Sequence, residues 1–200
     1  DTDQVIPCSS GGAFTVMMQA FNQKLGQTII TDKGLASMGY GLAGAIGASL
    51  ARRDRRTVLV EGDGGFAQNL QELATVNVQN LNLKIFIFSN EGYASIRMTQ
   101  RNYFDGAYLG CDTSTGLGFP DWSLLAAAFG LKTVALTPDT IKSSVFIEAW
   151  NDSVPCLFVV PVHPEQTYFP KITSLVTASG GMVSAPLHLM TPELQKKTPK

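Results

Sequence analysis

Apolar positions follow two alternating periods along this chain. Phe14, Met17, Met18, Phe21 and Leu25 recur at helical spacing, predicting an amphipathic helix over 13–25. A short apolar run at 28–30 predicts a strand, and 40–53 predicts a helix rich in Gly and Ala, whose small residues would let it approach a neighbour closely. Strand patterns recur at 57–60, 84–88, 132–136 and 155–162, with helical patterns between them at 66–78, 94–103, 121–129 and 138–150. The run Lys84 to Phe88 is continuous enough to sit centrally in a parallel sheet. Asp121 is placed to cap its helix and Gly130 to end it. Residues 104–120 carry several glycines and read as loop.

Strands alternating with helices predict an α/β fold, a doubly wound, mostly parallel sheet with helices on both faces. After His163 the pattern decays into an extended C-terminal tail containing Pro and Ser, with a helical hint at 192–197. The expected division is a domain over 1–165 and a tail over 166–200 that packs on the domain or on a partner subunit.

Composition narrows the classes. With 44% hydrophobic and 16% charged residues the chain is core-rich, and its 15 basic against 16 acidic residues give no reason to expect nucleic acid or an anionic membrane as partner. Cys8, Cys111 and Cys156 are odd in number and widely spaced, which fits a reducing cytoplasm better than a disulfide framework. Two histidines, His163 and His188, cannot build a familiar zinc cluster. No signal peptide and no membrane-spanning run is visible. The first residue is Asp1, which suggests a piece of something longer.

The chemistry concentrates at two strand ends. Gly62-Asp63-Gly64-Gly65 follows one predicted strand, and Ser89-Asn90-Glu91-Gly92 follows another, with Asp63 and Asn90 27 positions apart. In an open α/β sheet, ligands bind beyond the carboxyl ends of the strands. One carboxylate, one amide oxygen and a nearby backbone carbonyl suit Mg²⁺, which leaves its remaining positions to phosphates and water. Gly64 and Gly65 would let main-chain N–H groups approach a diphosphate, helped by the positive end of the helix expected from Phe66. Either half alone is better read as a plain turn. Together, each after an apolar strand, they favour the cation site.

These segments resemble the thiamine diphosphate motif of 2-oxo-acid decarboxylases and carboligases. Gly34-Leu35-Ala36-Ser37-Met38-Gly39-Tyr40-Gly41-Leu42 is similar to the aminopyrimidine-holding segment of acetolactate synthases. Gly92-Tyr93-Ala94-Ser95-Ile96 and Gly116-Leu117-Gly118-Phe119-Pro120-Asp121 are similar to acetolactate synthase-like enzymes as well. The resemblance covers nearly the whole chain, as the C-terminal, cofactor-binding domain of a three-domain subunit. It implies thiamine diphosphate and Mg²⁺ as cofactors, with Asp63, Asn90 and the Gly92 carbonyl on the metal and Gly64 and Gly65 on the diphosphate. It further implies that the Ala36 carbonyl accepts from the cofactor's amino group and that Met38 wedges the cofactor into its bent form. Ser37, Tyr93 and Ile96 belong to the same cofactor-binding set.

Three departures accompany the resemblance. Ser89 replaces the first of a usual asparagine pair, and Ile96 stands where simple decarboxylases often carry glutamate, which favours a carboligase. The segment 7–12 lacks a histidine found in acetolactate synthases, leaving Ser9 and Ser10 to donate to phosphate oxygens. The implied activity is that of a transferase or lyase that decarboxylates a 2-oxo acid and joins the remainder to a second carbonyl compound. The activating glutamate is expected on a separate N-terminal pyrimidine-binding domain, of the same or a partner subunit in a homo-oligomer, so the chain alone is expected to bind weakly and be inactive. The alternatives are a subunit of a split 2-oxo-acid decarboxylase and a non-catalytic binding or assembly module.

Other residues have plainer readings. Arg52, Arg53, Arg55 and Arg56 read as a solvated helix end. Arg97 and Arg101, one turn apart, could meet a substrate carboxylate but suit a surface or interface better. Cys111 and Cys156 read as core or loop thiols, and His163 as a strand-end residue.

Overall fold

The computed structural model describes residues 3–7, 11–32 and 34–192. These form two compact units, one up to Gln166 and a small one from Thr167.

The larger unit is built on six parallel strands: β1 (Gln4–Pro7), β2 (Thr28–Ile29), β3 (Thr57–Gly62), β4 (Leu83–Ser89), β5 (Lys132–Ala135) and β6 (Cys156–Pro161). Their order is β2-β1-β3-β4-β6-β5. The chain leaves β1 toward one edge and returns on its other side as β3, so strand order reverses between β1 and β3. Such a reversal opens a crevice at the carboxyl ends of the strands.

Register explains why both faces are covered. Leu59, Ile85 and Leu157 lie side by side and pack with Leu42, Ala45 and Ile46 of α2 (Tyr40–Ala51), Leu73 and Val76 of α4 (Leu73–Val78), and Trp122 and Ala126 of α6 (Trp122–Ala128). The next residues along, Val60, Phe86 and Phe158, point the opposite way, as strand period demands. Val60 packs with Phe14 of α1 (Gly11–Ala20), while Phe86 and Phe158 meet Trp150 and Phe146 of α7 (Ser144–Asn151). The doubly wound fold is as expected, with β4 in the interior of the sheet.

Several boundaries differ from expectation. The strand β1 is absent from the apolar pattern because only Val5 and Ile6 are apolar, yet all four of its residues are buried. Gln4 is accommodated by donating Nε2 to the Ala48 carbonyl at 3.0 Å. Helix α1 stops at Ala20, short of the expected Leu25, which is fully exposed. Gln27 and Gln23 there bond to the main chain of Lys24 and Gln27, a local alternative to helix. The expected helix over 66–78 is three pieces: α3 (Asp63–Phe66), a 3₁₀ turn (Ala67–Glu72) and α4. Asn69, at φ −146° and ψ 34°, breaks it. Helix α7 begins at Ser144 rather than Pro138, because Thr137 and Thr140 close a hydroxyl-bonded turn and Ser143 caps Phe146 N–H. By contrast α5 spans Ala94–Tyr103 as expected, and Asp121 caps α6 through Ser123 and Leu124 N–H.

The smaller unit holds an antiparallel hairpin, β7 (Ser174–Val176) with β8 (Met182–Ser184), where a plain extended tail was expected. Its turn closes through Thr177, whose hydroxyl accepts from Gly181 N–H at 3.0 Å. Beyond Pro192, the helical hint at 192–197 lies outside the described residues.

One basic residue and one small-residue contact differ from expectation. Arg56 is not solvated: it pairs with Asp3 at 3.2 Å, donates to the Trp150 carbonyl at 3.0 Å and stacks on the Trp150 ring. Close approach through small residues of α2 occurs at Gly41, where a Cβ would overlap the Glu61 carboxylate, but Gly47 faces open space.

Candidate active site

Strands β3 and β4 run in register to their carboxyl ends, with Gly62 beside Phe88. The chain then turns at Asp63 and at Asn90, placing both at the same edge of the sheet. Asp63 is only 1% exposed. One of its oxygens accepts from Gly64 N–H at 2.7 Å, the other from Asn90 N–H at 2.9 Å and Glu91 N–H at 2.8 Å. Burial raises its pKa, and these N–H groups, with a weaker pull from Gly92 N–H, oppose the rise.

Asn90 supplies the second donor. Its Oδ1 is buried with no hydrogen-bond partner among the described residues. An unpartnered buried amide oxygen costs about 1–3 kcal/mol, and it calls for an explanation such as an ion. Gly92 is bridged to Asp112, and Tyr93 N–H bonds the Cys111 carbonyl at 2.8 Å. No side chain fits at Gly92, since a Cβ would overlap that carbonyl. An oxygen set of carboxylate, amide and carbonyl fits a hard cation such as Mg²⁺. Among the described residues no cluster of three or more His, Cys, Asp or Glu could hold a metal.

The glycines after Asp63 make room. A Cβ on Gly64 would overlap the Tyr93 ring, and one on Gly65 would overlap Glu61. Contrary to the simplest expectation, the Gly64 N–H is engaged with Asp63 rather than open to a phosphate. The helix starts at Asp63, not near Phe66, and lasts four residues. Tyr93 is held by Gln68, whose Nε2 donates to the phenol oxygen at 3.0 Å.

The loop before α2 lies against the 3₁₀ turn that follows α3. Ala36 sits in the left-handed region at φ 55°, with its N–H on the Asp32 carbonyl. Ser37 is exposed and Met38 is 45% exposed, so the thioether is not core. Asn69 ties this loop to the 3₁₀ turn by donating to the Gly39 carbonyl at 3.4 Å. Ile96 lies exposed on α5. Ser9 and Ser10 lie outside the described residues.

Sequence reasoning placed Arg97 wrongly and passed over its partners. Arg97 is 6% exposed, not on the surface. It donates to the Asn90 and Pro164 carbonyls at 3.3 and 3.0 Å and to Asp112 at 3.4 Å. Hydrogen bonds from Ser114 and Thr115, opposed by burial and aided by Arg97, hold the Asp112 carboxyl below its usual range. Arg101 does stay half-exposed, paired with Glu165. Glu91, at φ 60°, was also missed; its signal was its place between Asn90 and Gly92.

Cys111 and Cys156 are both buried thiols, as expected. His163 lies just past β6, where its Nδ1 accepts from Glu165 N–H. No helix among the described residues is long and apolar enough to cross a membrane.

Comparison with known proteins identifies the family. The family described as "Thiamine pyrophosphate enzyme, C-terminal TPP binding domain" matches residues 10–160. The large subunit of acetolactate synthase isozyme 1 of Escherichia coli (strain K12) is 30% identical over 172 residues, covering 86% of this chain and 30% of that protein. Isozyme 2 of the same organism is 32% identical over 146 residues, covering 73% of this chain and 26% of that protein. The chain thus spans less than a third of the length of these relatives. Benzoylformate decarboxylase from Polynucleobacter necessarius shares the fold, with a TM-score of 0.70 and 23% identity over 84% of this chain and 31% of that one. This chain belongs to the thiamine pyrophosphate enzyme family, as a C-terminal TPP-binding domain.

Proposed function

We propose that this chain is the cofactor-binding domain of a thiamine diphosphate- and Mg²⁺-dependent 2-oxo-acid carboligase or decarboxylase of the acetolactate synthase type. The observation that carries the reading is the buried, unpartnered Oδ1 of Asn90, a residue whose main-chain N–H is bonded to the buried Asp63 carboxylate. Asp63, Asn90 Oδ1 and the Gly92 carbonyl would hold the cation. Gly65, with Ser9 and Ser10, would approach the diphosphate, while Gly64 leaves room for Tyr93 beside it. The Ala36 carbonyl, Ser37 and Met38 would receive the aminopyrimidine end, and Ile96 would border the substrate.

When bound, the cofactor supplies a carbon nucleophile and an electron sink for decarboxylation. This chain's own residues anchor, orient and shield. The left-handed turn at Ala36 and the exposed Met38 support a loop shaped to receive a ligand rather than to fill a core. The carboxylate that activates the ring belongs to an N-terminal pyrimidine-binding domain, of the same or a partner subunit in a homo-oligomer. A 2-oxo acid is the small-molecule substrate, and the expected compartment is the cytoplasm.

Calorimetric titration with thiamine diphosphate, with and without Mg²⁺, tests this reading. Cation-dependent binding supports it; no binding, or binding indifferent to the cation, defeats it. Turnover of pyruvate by the isolated chain at the rate of a complete synthase would defeat the requirement for a second domain.

A further inference from the structure

Asp32 stands just past β2, at the carboxyl end of the parallel sheet, the end at which Asp63 and Asn90 also lie. It organises the loop before α2 through three successive N–H groups. Its carbonyl accepts from Leu35 N–H at 2.9 Å and Ala36 N–H at 3.1 Å, and its carboxylate Oδ2 accepts from Ser37 N–H at 3.3 Å. The far end of the loop is tied separately, by Tyr40 N–H on the Ser37 carbonyl and by Asn69 on the Gly39 carbonyl.

The bond to Ser37 also sets the direction of the Ala36 carbonyl. That carbonyl and the Ser37 N–H belong to one planar trans peptide, in which the two groups point in opposite directions. With its N–H held by Asp32, the peptide turns the Ala36 carbonyl away from the carboxylate. Among the described residues no group donates to this carbonyl. Ala36 itself is held at φ 55°, a conformation that a non-glycine residue keeps only where its surroundings over-determine it. The bonds of its own N–H and of the next one do so here. The other carboxylate oxygen, Asp32 Oδ1, is buried with no hydrogen-bond partner among the described residues. An unsatisfied buried acceptor costs stability, as does a left-handed alanine. The loop therefore keeps two features that stability alone disfavours.

We propose that Asp32 is a positioning residue that acts through the Ala36–Ser37 peptide, fixing the Ala36 carbonyl as an acceptor for the amino group on the cofactor's pyrimidine ring. The inference rests on the cofactor reading proposed above and adds the residue that sets the direction of one acceptor. A carbonyl held in one direction favours a ligand that places a donor there, whereas an oxo group in the same place brings two acceptors together. A peptide freed from Asp32 can rotate and loses that discrimination.

The test is calorimetric titration in saturating Mg²⁺ with three probes: thiamine diphosphate, its analogue with an oxo group in place of the ring amino group, and inorganic diphosphate. The last reports the diphosphate end alone. Asp32→Ala removes the acceptor for Ser37 N–H, while Asp32→Asn keeps one in its amide oxygen. A hydrogen bond of ordinary strength is worth about tenfold in affinity, so the unsubstituted chain should prefer thiamine diphosphate to the oxo analogue by about that factor. Asp32→Ala should cut the preference to about twofold or less and change diphosphate affinity by about twofold at most. Asp32→Asn should retain the preference. Thermal unfolding without ligand checks the fold. Should Asp32→Ala fail to fold, Asp32→Glu, whose longer arm moves the carboxylate off Ser37, carries the same comparison. Retained preference in Asp32→Ala, equal losses for all three probes, or an Asp32→Asn chain that behaves as Asp32→Ala overturns the inference. So does an unsubstituted chain that binds the two organic probes equally. Failure of the unsubstituted chain to bind thiamine diphosphate with Mg²⁺ overturns the cofactor reading itself.

Discussion

The carboxylate of Asp63, which follows β3, accepts a hydrogen bond from the backbone N–H of Asn90, which follows β4, at 2.9 Å. The two neighbouring strands are thus joined at their ends by the side chain proposed to carry the charge for a cation. Structure and chemistry depend on the same carboxylate.

Replacing Asp63 should remove both roles at once. Asp63→Ala leaves the Gly64, Asn90 and Glu91 N–H groups without their acceptor, at about 1–3 kcal/mol for each donor left unsatisfied. Because the loop can partly relax, the expected net loss in urea unfolding is about 2–4 kcal/mol, with cation-dependent cofactor binding abolished. Unchanged binding would remove Asp63 from the cation site.

Acidity should govern that binding with a definite sign. Burial lifts the Asp63 pKa above its ordinary 3.8, so in the window above 3.8 the folded chain without cation keeps a proton that the unfolded chain has lost. This group's contribution to stability therefore falls as pH rises through the window. A cation binds the ionised form, so the stabilisation it confers should grow over the same range. Thermal unfolding with and without Mg²⁺ and thiamine diphosphate, from pH 4 upward, measures the difference, which Asp63→Ala should remove.

Gly64 and Tyr93 should be energetically coupled. A Cβ at Gly64 would overlap the Tyr93 ring, so Gly64→Ala forces that ring aside and weakens both stability and cofactor binding. In a double-mutant cycle with Tyr93→Ala, the penalty of the first change should shrink by about 1 kcal/mol or more, as expected for residues in direct contact. Additivity within about 0.3 kcal/mol would contradict the contact.

The thiol of Cys156 should be inert in the folded chain. Burial pushes its pKa up to about 11, and the thiolate is the reactive form. Mass spectrometry after iodoacetamide treatment at pH 8 should find Cys156 unmodified in native protein and modified in urea. Rapid native labelling would contradict its burial beside β4.

How much of this was legible in the sequence follows from what each residue interacts with. Helix α6 could be bounded from the pattern because local signals set both its ends, Asp121 capping it and Gly130 following it, whereas β1 is a strand only through its neighbours β2 and β3. The placing of Asp63 and Asn90 at two strand ends was legible because each directly follows a strand that the apolar pattern marks. Arg97 was not, because arginine is usually exposed and its partners Asp112 and Pro164 lie far along the chain. Lys84 makes the same point: wholly buried within β4, it is satisfied by the carbonyls of Asp152 and Val154. The break at Asn69 likewise depends on a contact, its bond to Gly39.

The most direct measurement is a crystal structure grown with thiamine diphosphate and Mn²⁺ in place of Mg²⁺, read by anomalous scattering. The account predicts one anomalous peak in contact with an Asp63 carboxylate oxygen, Asn90 Oδ1 and the Gly92 carbonyl. Bound cofactor with no peak there, or with its peak against other residues, would contradict it.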